Sequence, residues 1–146
     1  MIRTAIVSQA IDTQRITAEV SLADFGAVSL FLGTVRNTSE GQAVEGIEYT
    51  AYTAMAESEL AAIAREAAAK FSIGALVVEH RIGLLPLGEV SIAIASAHAH
   101  REPAMECTRF VIEQVKKRVP IWKLEHYADG TREWVDPTAH RQAATL

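Results

Sequence analysis

The chain has 146 residues and a mass of 15.9 kDa, a size at which one domain buries about two-thirds of the surface exposed by its unfolded chain. Its 49% hydrophobic and 22% charged residues are the composition of an ordinary globular protein, which excludes a disordered or low-complexity chain. The 14 basic and 18 acidic side chains give a net charge of −4, which argues against a general nucleic-acid coat protein, because such proteins carry a basic excess.

The apolar pattern indicates the cellular compartment of the protein, the single cysteine limits its chemistry, and the absence of repeats indicates the number of domains. No run approaches the roughly 18 apolar residues of a membrane-spanning helix, and Arg3, Ser8 and Gln9 fall where a signal peptide would be apolar. We therefore expect a cytoplasmic protein. Cys107 cannot form an internal disulfide, and its apolar helical surroundings favour a buried filler over a nucleophile. Without a repeat or a linker, residues 1–146 are predicted to form one domain.

The first predicted elements are two strands joined by a polar loop. Residues 26–35 are almost continuously apolar with β-branched and aromatic members, which is typical of a strand covered on both faces. The polar residues 36–41 follow, and apolar and polar residues then alternate over 47–52 with the period of a half-buried strand. We expect these two strands to pair as a hairpin with a long loop.

The next predicted element is a helix over residues 53–70, a segment rich in Ala, Glu, Leu and Arg. Thr53 is the expected N-cap, because its hydroxyl can accept a hydrogen bond from a backbone N–H of the first turn. Apolar residues recur at helical spacing on one stripe of this helix and should be buried. They are Ala56, Leu60, Ile63 and Ala67.

Two further strands are predicted over residues 75–80 and 89–98, separated by a turn at 85–88 that contains a proline and a glycine. A second helix should begin at Pro103, since proline is favoured in the first turn, and should run to about Arg118 before Pro120. Its buried face should consist of Ala104, Cys107, Val111 and Val115.

The last predicted element is a hairpin. Residues 121–128 and 131–135 are strand-like, and Asp129-Gly130 between them is a strong short-range hairpin pattern. Helices and strands are mixed along the chain without regular βαβ alternation. An α+β fold is therefore expected rather than a doubly wound sheet.

Common catalytic and nucleotide-binding motifs are absent from the sequence. It contains no G-x-G-x-x-G, no G-x-x-x-x-G-K-[ST], no G-x-S-x-G and no H-E-x-x-H, which argues against nucleotide-binding and zinc-protease classes. His98 and His100 would share the face of a continuing strand, as metal ligands can, but no third ligand has a suitable spacing, so no metal site is expected.

Cations concentrate at three points, each at the end of a predicted element: Arg36, residues 98–101 and residues 116–123. The third group can be explained in part by the favourable interaction of cations with a helix C-terminus. Lys123, however, lies beyond the helix in an extended segment stiffened by Pro120, where that explanation no longer applies. His100 and Arg101 at a helix start suit an anion pocket, because backbone N–H groups there also point at the anion.

Clustered cations also change lysine chemistry, since a nearby positive charge or burial favours the neutral amine. Lys116 or Lys123 is therefore a candidate base or nucleophile. Glu125, Glu102 and Glu106 are candidate acids or bases in the same neighbourhood, although the latter two also suit a helix start. Residue types alone indicate a small substrate that bears a phosphate or a carboxylate.

One ordered set of residues is far more specific than any short motif. It consists of Gly26-Ala27-Val28, Phe31, Gly33, Val35-Arg36-Asn37, His100-Arg101, Ala104, Glu106, Lys116 through Pro120, Trp122-Lys123 and Asp129-Gly130. In this order the set closely resembles the MoaE family, the catalytic large subunits of molybdopterin synthase. The resemblance covers roughly residues 25–136.

The resemblance implies a cytoplasmic sulfurtransferase of molybdenum cofactor biosynthesis that converts cyclic pyranopterin monophosphate (precursor Z) to the dithiolene molybdopterin. The sulfur would come from a small ubiquitin-like partner subunit whose C-terminal Gly-Gly tail ends in a thiocarboxylate. Family members form a homodimer with one small subunit at each end, giving a heterotetramer. They have an α/β hammerhead-like fold with an additional small antiparallel β subdomain, and no cofactor or metal is implied.

Site residues follow from the resemblance by position. Lys116 and Lys123 match the catalytic lysines, and Phe31 and Arg36 match the pocket for the partner's tail. The matched substrate-binding residues are Thr34, Val35, Arg36, His100, Arg101, Lys116, Lys123, Leu124 and Glu125. His98 precedes the His-Arg pair and inherits no role, and Met105 stands where the family usually has Phe.

Two other functions remain open from the sequence. A non-catalytic adaptor could use the same cations to bind the C-terminal tail of a ubiquitin-like protein. A general nucleotide-phosphate binder is disfavoured by the missing Gly-rich loop.

Overall fold

The structure is a computed structural model that describes residues 1–135, and it has the α+β fold predicted from the sequence. In chain order the elements are β1 (Ile2–Val7), α1 (Thr13–Val20), β2 (Ala27–Thr34), β3 (Thr38–Ser39), β4 (Gln42–Ala51), α2 (Thr53–Phe71), β5 (Ala75–Arg81), β6 (Gly83–Pro86), β7 (Val90–His98), α3 (Arg101–Arg118), β8 (Ile121–Tyr127) and β9 (Arg132–Val135). None of the helices in this described part is long and apolar enough to cross a membrane.

The first sheet has the strand order β1-β5-β7-β2, and helices cover both faces of its central strands β5 and β7. Strand β1 runs parallel to β5, and the other two pairs are antiparallel. Alternate residues of β5 and β7 face opposite sides: Leu76 and Ile94 pack with α2 and α3, while Val77 and Ala95 pack with α1. Both central strands are therefore almost entirely buried, which explains their continuous apolar sequence.

Strand β2 departs from the prediction in two ways. It lies at the edge of the first sheet and pairs with β7, not with the strand that follows it. It is not covered on both faces, since Val28, Leu30 and Leu32 are 36–40% exposed. The eight-residue α1 packs over β5 and β7 and leaves this face of β2 largely open.

The expected partner of β2 belongs instead to the second sheet, of order β3-β4-β8-β9 with β6 also on β4. Strands β3 and β4 form a tight hairpin, because Glu40 and Gly41 both have positive φ, as a two-residue turn of the primed type requires. This two-residue turn pairs the start of β4 with β3, and β4 does not pair with β2. The predicted alternation is confirmed, with Ile47 and Tyr49 buried.

The remaining strand predictions largely hold. The hairpin β8–β9 is present, with Gly130 at φ 87° in its turn. The predicted turn at 85–88 is partly wrong, because Leu85 and Pro86 belong to β6 and pair with β4. Only Leu87 and Gly88 lie outside a strand there.

Both predicted helices are confirmed, with small differences at their starts. The predicted stripe on α2 is completely buried, but Tyr52 occupies the N-cap position and Thr53 is the first helical residue, so the N-cap prediction is wrong. Helix α3 begins at Arg101, two residues before Pro103, and its predicted apolar face is buried. Cys107 lies within that face, and burial raises the pKa of its thiol to about 11, as suits an inert core residue.

Candidate active site

A cavity of about 620 Å³ lies between the two sheets and the C-terminal end of α3. Arg36, Lys116 and Lys123, which are far apart in the sequence, all line it. Each comes from a well-anchored element. Arg36 follows Val35, which is 2% exposed and whose backbone N–H and C=O bond to Glu89 and Gly88. Lys116 lies in the last turn of α3, and Lys123 lies in β8.

The surroundings of Lys123 favour a neutral amine. Burial lowers its pKa, and the positive charges of Lys116 and Arg36 lower it further, against an opposing contribution from Glu125. Burial and like charge both disfavour the ammonium form, so a larger neutral fraction is available near pH 7 than for an ordinary lysine. The amine is thereby suited to proton transfer or nucleophilic attack.

Glu125 brings a buried carboxylate into the same cavity. It is 2% exposed, and the Ser39 hydroxyl donates a hydrogen bond to its Oε1 at 3.1 Å. Within residues 1–135, its Oε2 has no hydrogen-bond partner. Buried polar atoms are normally satisfied, so Oε2 can accept from a group that enters the cavity. The Tyr127 hydroxyl is also nearby, since burial and the charge of Glu125 raise its pKa.

Two cavity residues, His80 and Ser39, were not singled out by the sequence. His80 was set aside because no histidine lies at a ligand spacing from it, and Ser39 is one of several polar residues in a loop. His80 lies near the end of β5 and is 7% exposed, with its ring edge-on to Tyr49 at 5.4 Å. Burial, and then the charge of Lys116, lower the pKa of His80 to about 4.

The cavity gathers many of the site residues inferred from the resemblance. Those that line it are Phe31, Thr34, Arg36, Lys116, Lys123 and Glu125. Val35 is buried beside them and anchors Arg36. Leu124 lies on the opposite face of β8 from Lys123 and Glu125, because side chains alternate along a strand, so it is not part of the cavity wall.

His100 and Arg101 lie elsewhere in the chain. They line a second pocket, of about 430 Å³, at the start of α3. Ala27 at one end of β2 pairs with His98, whereas Thr34 at the other end reaches the lysine cavity. The two pockets are thus separated by more than about 20 Å at the rise of a strand. Within one chain, the cations of the two pockets therefore do not meet.

Three other candidates are also away from the lysines. Glu102 and Glu106 lie in the first part of α3, about 20 Å and about 15 Å from Lys116 at the rise of an α-helix. His98 accepts a hydrogen bond at Nδ1 from the His100 N–H at 2.9 Å, which ties it to the backbone. Within the part of the chain that the structure describes, no three His, Cys, Asp or Glu side chains are grouped as metal ligands would be.

Comparison with known proteins shows the family of the chain. The family described as "MoaE protein" matches residues 6–118. A rice (Oryza sativa subsp. indica) molybdopterin synthase catalytic subunit is 48% identical over 118 residues, covering 77% of this chain and 61% of the rice protein. One from Halalkalibacterium halodurans is 38% identical over 133 residues, covering 91% of this chain and 85% of that protein.

A similar solved structure is molybdopterin synthase from Staphylococcus aureus, with a TM-score of 0.84 and 35% identity over 90% of this chain and 95% of that one. The chain spans about three-fifths of the length of the rice relative. The match to the family ends at Arg118, so Lys123 and Glu125 lie outside it. With most of its length matched and the same fold, the chain belongs to the MoaE family.

Proposed function

We propose that this chain is the catalytic subunit of a molybdopterin synthase. It transfers sulfur from the C-terminal thiocarboxylate of a small ubiquitin-like subunit to cyclic pyranopterin monophosphate, and so forms the dithiolene of molybdopterin in the cytoplasm. The observation that carries the proposal is the convergence of Arg36, Lys116 and Lys123 on one cavity in a chain of net charge −4. The whole chain acts as one functional domain in this account.

The cavity suits the two reactants by charge and shape. A cyclic phosphate and a thiocarboxylate are both anions, and fixed Lys and Arg side chains bind anions well. Phe31 lies at the part of the wall formed by β2, and we place the extended Gly-Gly tail of the small subunit against it. Two reactants are thereby held close together, which removes much of the entropic cost of their reaction.

The lysines act on the charge that develops during transfer. Addition to the thiocarboxylate carbon creates a tetrahedral oxyanion, which a preorganised ammonium stabilises. We assign this role to Lys116, at the rigid end of α3, and assign proton transfer and substrate orientation to Lys123, whose pKa is lowered. In each transfer the acyl C–S bond of one tail breaks, a C–O bond of the substrate is replaced by C–S, and the displaced oxygen ends on the acyl carbon. Two partner tails are therefore consumed per dithiolene and leave as carboxylates.

A second copy of the chain completes the site. The exposed Val28, Leu30 and Leu32 on the edge strand β2 form an apolar strip that a second copy can cover. A twofold axis at this strand makes the two β2 strands antiparallel, which brings the Ala27 end of one next to the Thr34 end of the other. His100 and Arg101 of each copy then join the lysine cavity of its neighbour. With one small subunit at each end, the assembly is a heterotetramer.

Reconstitution tests the proposal. Purified chain is mixed with the thiocarboxylated small subunit and cyclic pyranopterin monophosphate, and dithiolene formation is measured. We expect product with the unmodified chain, none with Lys116→Ala, and normal product with Lys70→Ala, which removes an exposed lysine of α2. Capture of the partner's tail without any product would instead establish a non-catalytic adaptor.

A further inference from the structure

His80 presents a neutral hydrogen-bond acceptor to the lysine cavity. Its Nδ1 lies 2.9 Å from the carbonyl oxygen of Arg81. Because a carbonyl can only accept, Nδ1 must carry the proton, and the neutral ring then has a bare lone pair at Nε2. Burial and the nearby charge of Lys116 keep the ring neutral at physiological pH.

The neighbours of His80 form a distinct part of the cavity wall. The ring of Tyr49 packs edge-on against His80, and the carboxylate of Glu125 is close enough for its charge to raise the pKa of Tyr49 further, after burial. His80 and Glu125 both line the cavity and both interact with Tyr49, and apolar side chains complete the wall around them. The apolar residues include Ile47 and Ile92.

The proposed substrate likewise has one part that requires cations and another part that requires hydrogen-bond acceptors. Its phosphate is an anion that requires cations, which Arg36 and the lysines supply. Its pterin ring is flat and carries N–H groups along its edge, which require acceptors. A neutral acceptor serves such donors without adding a second negative charge that would weaken phosphate binding.

Resting on the function proposed above, we propose that His80 binds the pterin ring of the substrate by accepting a hydrogen bond from a ring N–H at Nε2. His80 is then a substrate-binding residue that selects for the heterocycle, while the cations select for the phosphate. When a ligand lacks the hydrogen-bond donor, the buried acceptor of the site stays unpaired, which costs binding free energy. Such a site therefore selects for ligands that carry the donor.

Substitutions at His80 separate the acceptor from the rest of the ring. His80→Phe keeps an aromatic ring and removes both nitrogens, whereas His80→Asn retains a donor for the Arg81 carbonyl but does not reach the position of Nε2. His80→Gln places an amide oxygen near Nε2 and should restore the contact. The control is His126→Phe. His126 is a half-buried histidine on β8 that does not line the cavity.

Isothermal titration calorimetry with three ligands tests the assignment: cyclic pyranopterin monophosphate, a reduced pterin without phosphate, and inorganic phosphate. We expect His80→Phe and His80→Asn to weaken both pterin ligands about tenfold and inorganic phosphate less than twofold, with His80→Gln within about threefold of the unmodified chain. If His80→Phe does not fold, His80→Asn and His80→Gln carry the comparison.

The outcomes separate this inference from the proposed function. Unchanged pterin affinity in His80→Asn, or an equal loss for inorganic phosphate, overturns the role of His80. Failure of the unmodified chain to form dithiolene in the reconstitution, despite binding the substrate, contradicts the proposed function and leaves the affinity comparison standing.

Discussion

At the scale of single residues, the chemistry of the site depends on surroundings that motifs do not record. Lys123 is recognisable in the sequence as a cation beyond a helix end, but its lowered pKa arises from burial and from Lys116 and Arg36, which lie 7 and 87 positions away. Glu125 was a candidate acid or base in the sequence, yet its unpaired Oε2 is a property of the folded cavity. Residue types were therefore predictable, and their electrostatic states were not.

A titration checks the environment of Lys123. Lysine labelled with ¹³C at Cε should show Lys123 titrating below the ordinary lysine value, because burial and like charge disfavour its ammonium form. Lys116→Ala removes one of those positive charges and should raise the pKa of Lys123, while Lys70→Ala should leave it unchanged. An ordinary pKa for Lys123 in the unmodified chain would refute this description of the cavity.

His80 makes a second residue-scale prediction, about stability. Its pKa is about 4 in the folded chain against 6.5 for an ordinary histidine, so the unfolded chain binds the proton more tightly. The resulting stabilisation is present above pH 6.5 and is lost as the pH falls toward 4, by about 3 kcal/mol in all.

Urea denaturation at pH 7 and at pH 4 measures this difference. His80→Gln has no imidazole to protonate. The free energy of unfolding of this variant should therefore fall less steeply from pH 7 to pH 4 than that of the unmodified chain. Parallel pH dependences for the two proteins would show that the neutral, buried imidazole has been misassigned.

At the scale of secondary structure, local patterns predicted most elements, and long-range pairing limited the rest. Helices α2 and α3 and the β8–β9 hairpin have their spacing and turn residues within one segment. The partner of β2 could not be found in this way, because β7 lies more than 50 residues further along the chain. Strand β1 and helix α1 were not predicted, although Asp is a typical N-cap residue and Asp12 caps α1 by accepting a hydrogen bond from the Arg15 N–H.

The helical stripe on α2 supports a prediction about packing. Leu60 is completely buried against the first sheet and α3, so Leu60→Ala leaves a cavity and should cost about 3 kcal/mol of unfolding free energy. Met55 on the same helix is 60% exposed, and Met55→Ala should cost less than about 0.5 kcal/mol. Chemical denaturation measures both, and equal losses would contradict the assignment of the buried face.

At the scale of the whole molecule, the two groups of cations lie at opposite ends of one edge strand. The sequence predicted the cations at both ends but not their separation, because the length of β2 in the folded sheet determines it. A single chain thus holds the lysine cavity and, far from it, His100 and Arg101. The function proposed here requires the second copy to bring them together.

Subunit complementation tests this central claim most directly. Lys116→Ala and Arg101→Ala chains are each assayed alone, at substrate below KM, and then after being dissociated, mixed in equal amounts and reassociated. If each site takes Lys116 from one copy and Arg101 from the other, every mixed dimer has one intact site, and the mixture should recover about a quarter of the unmodified activity. Activity no greater than the average of the two separate variants would show that each site is built from a single chain and would contradict the account.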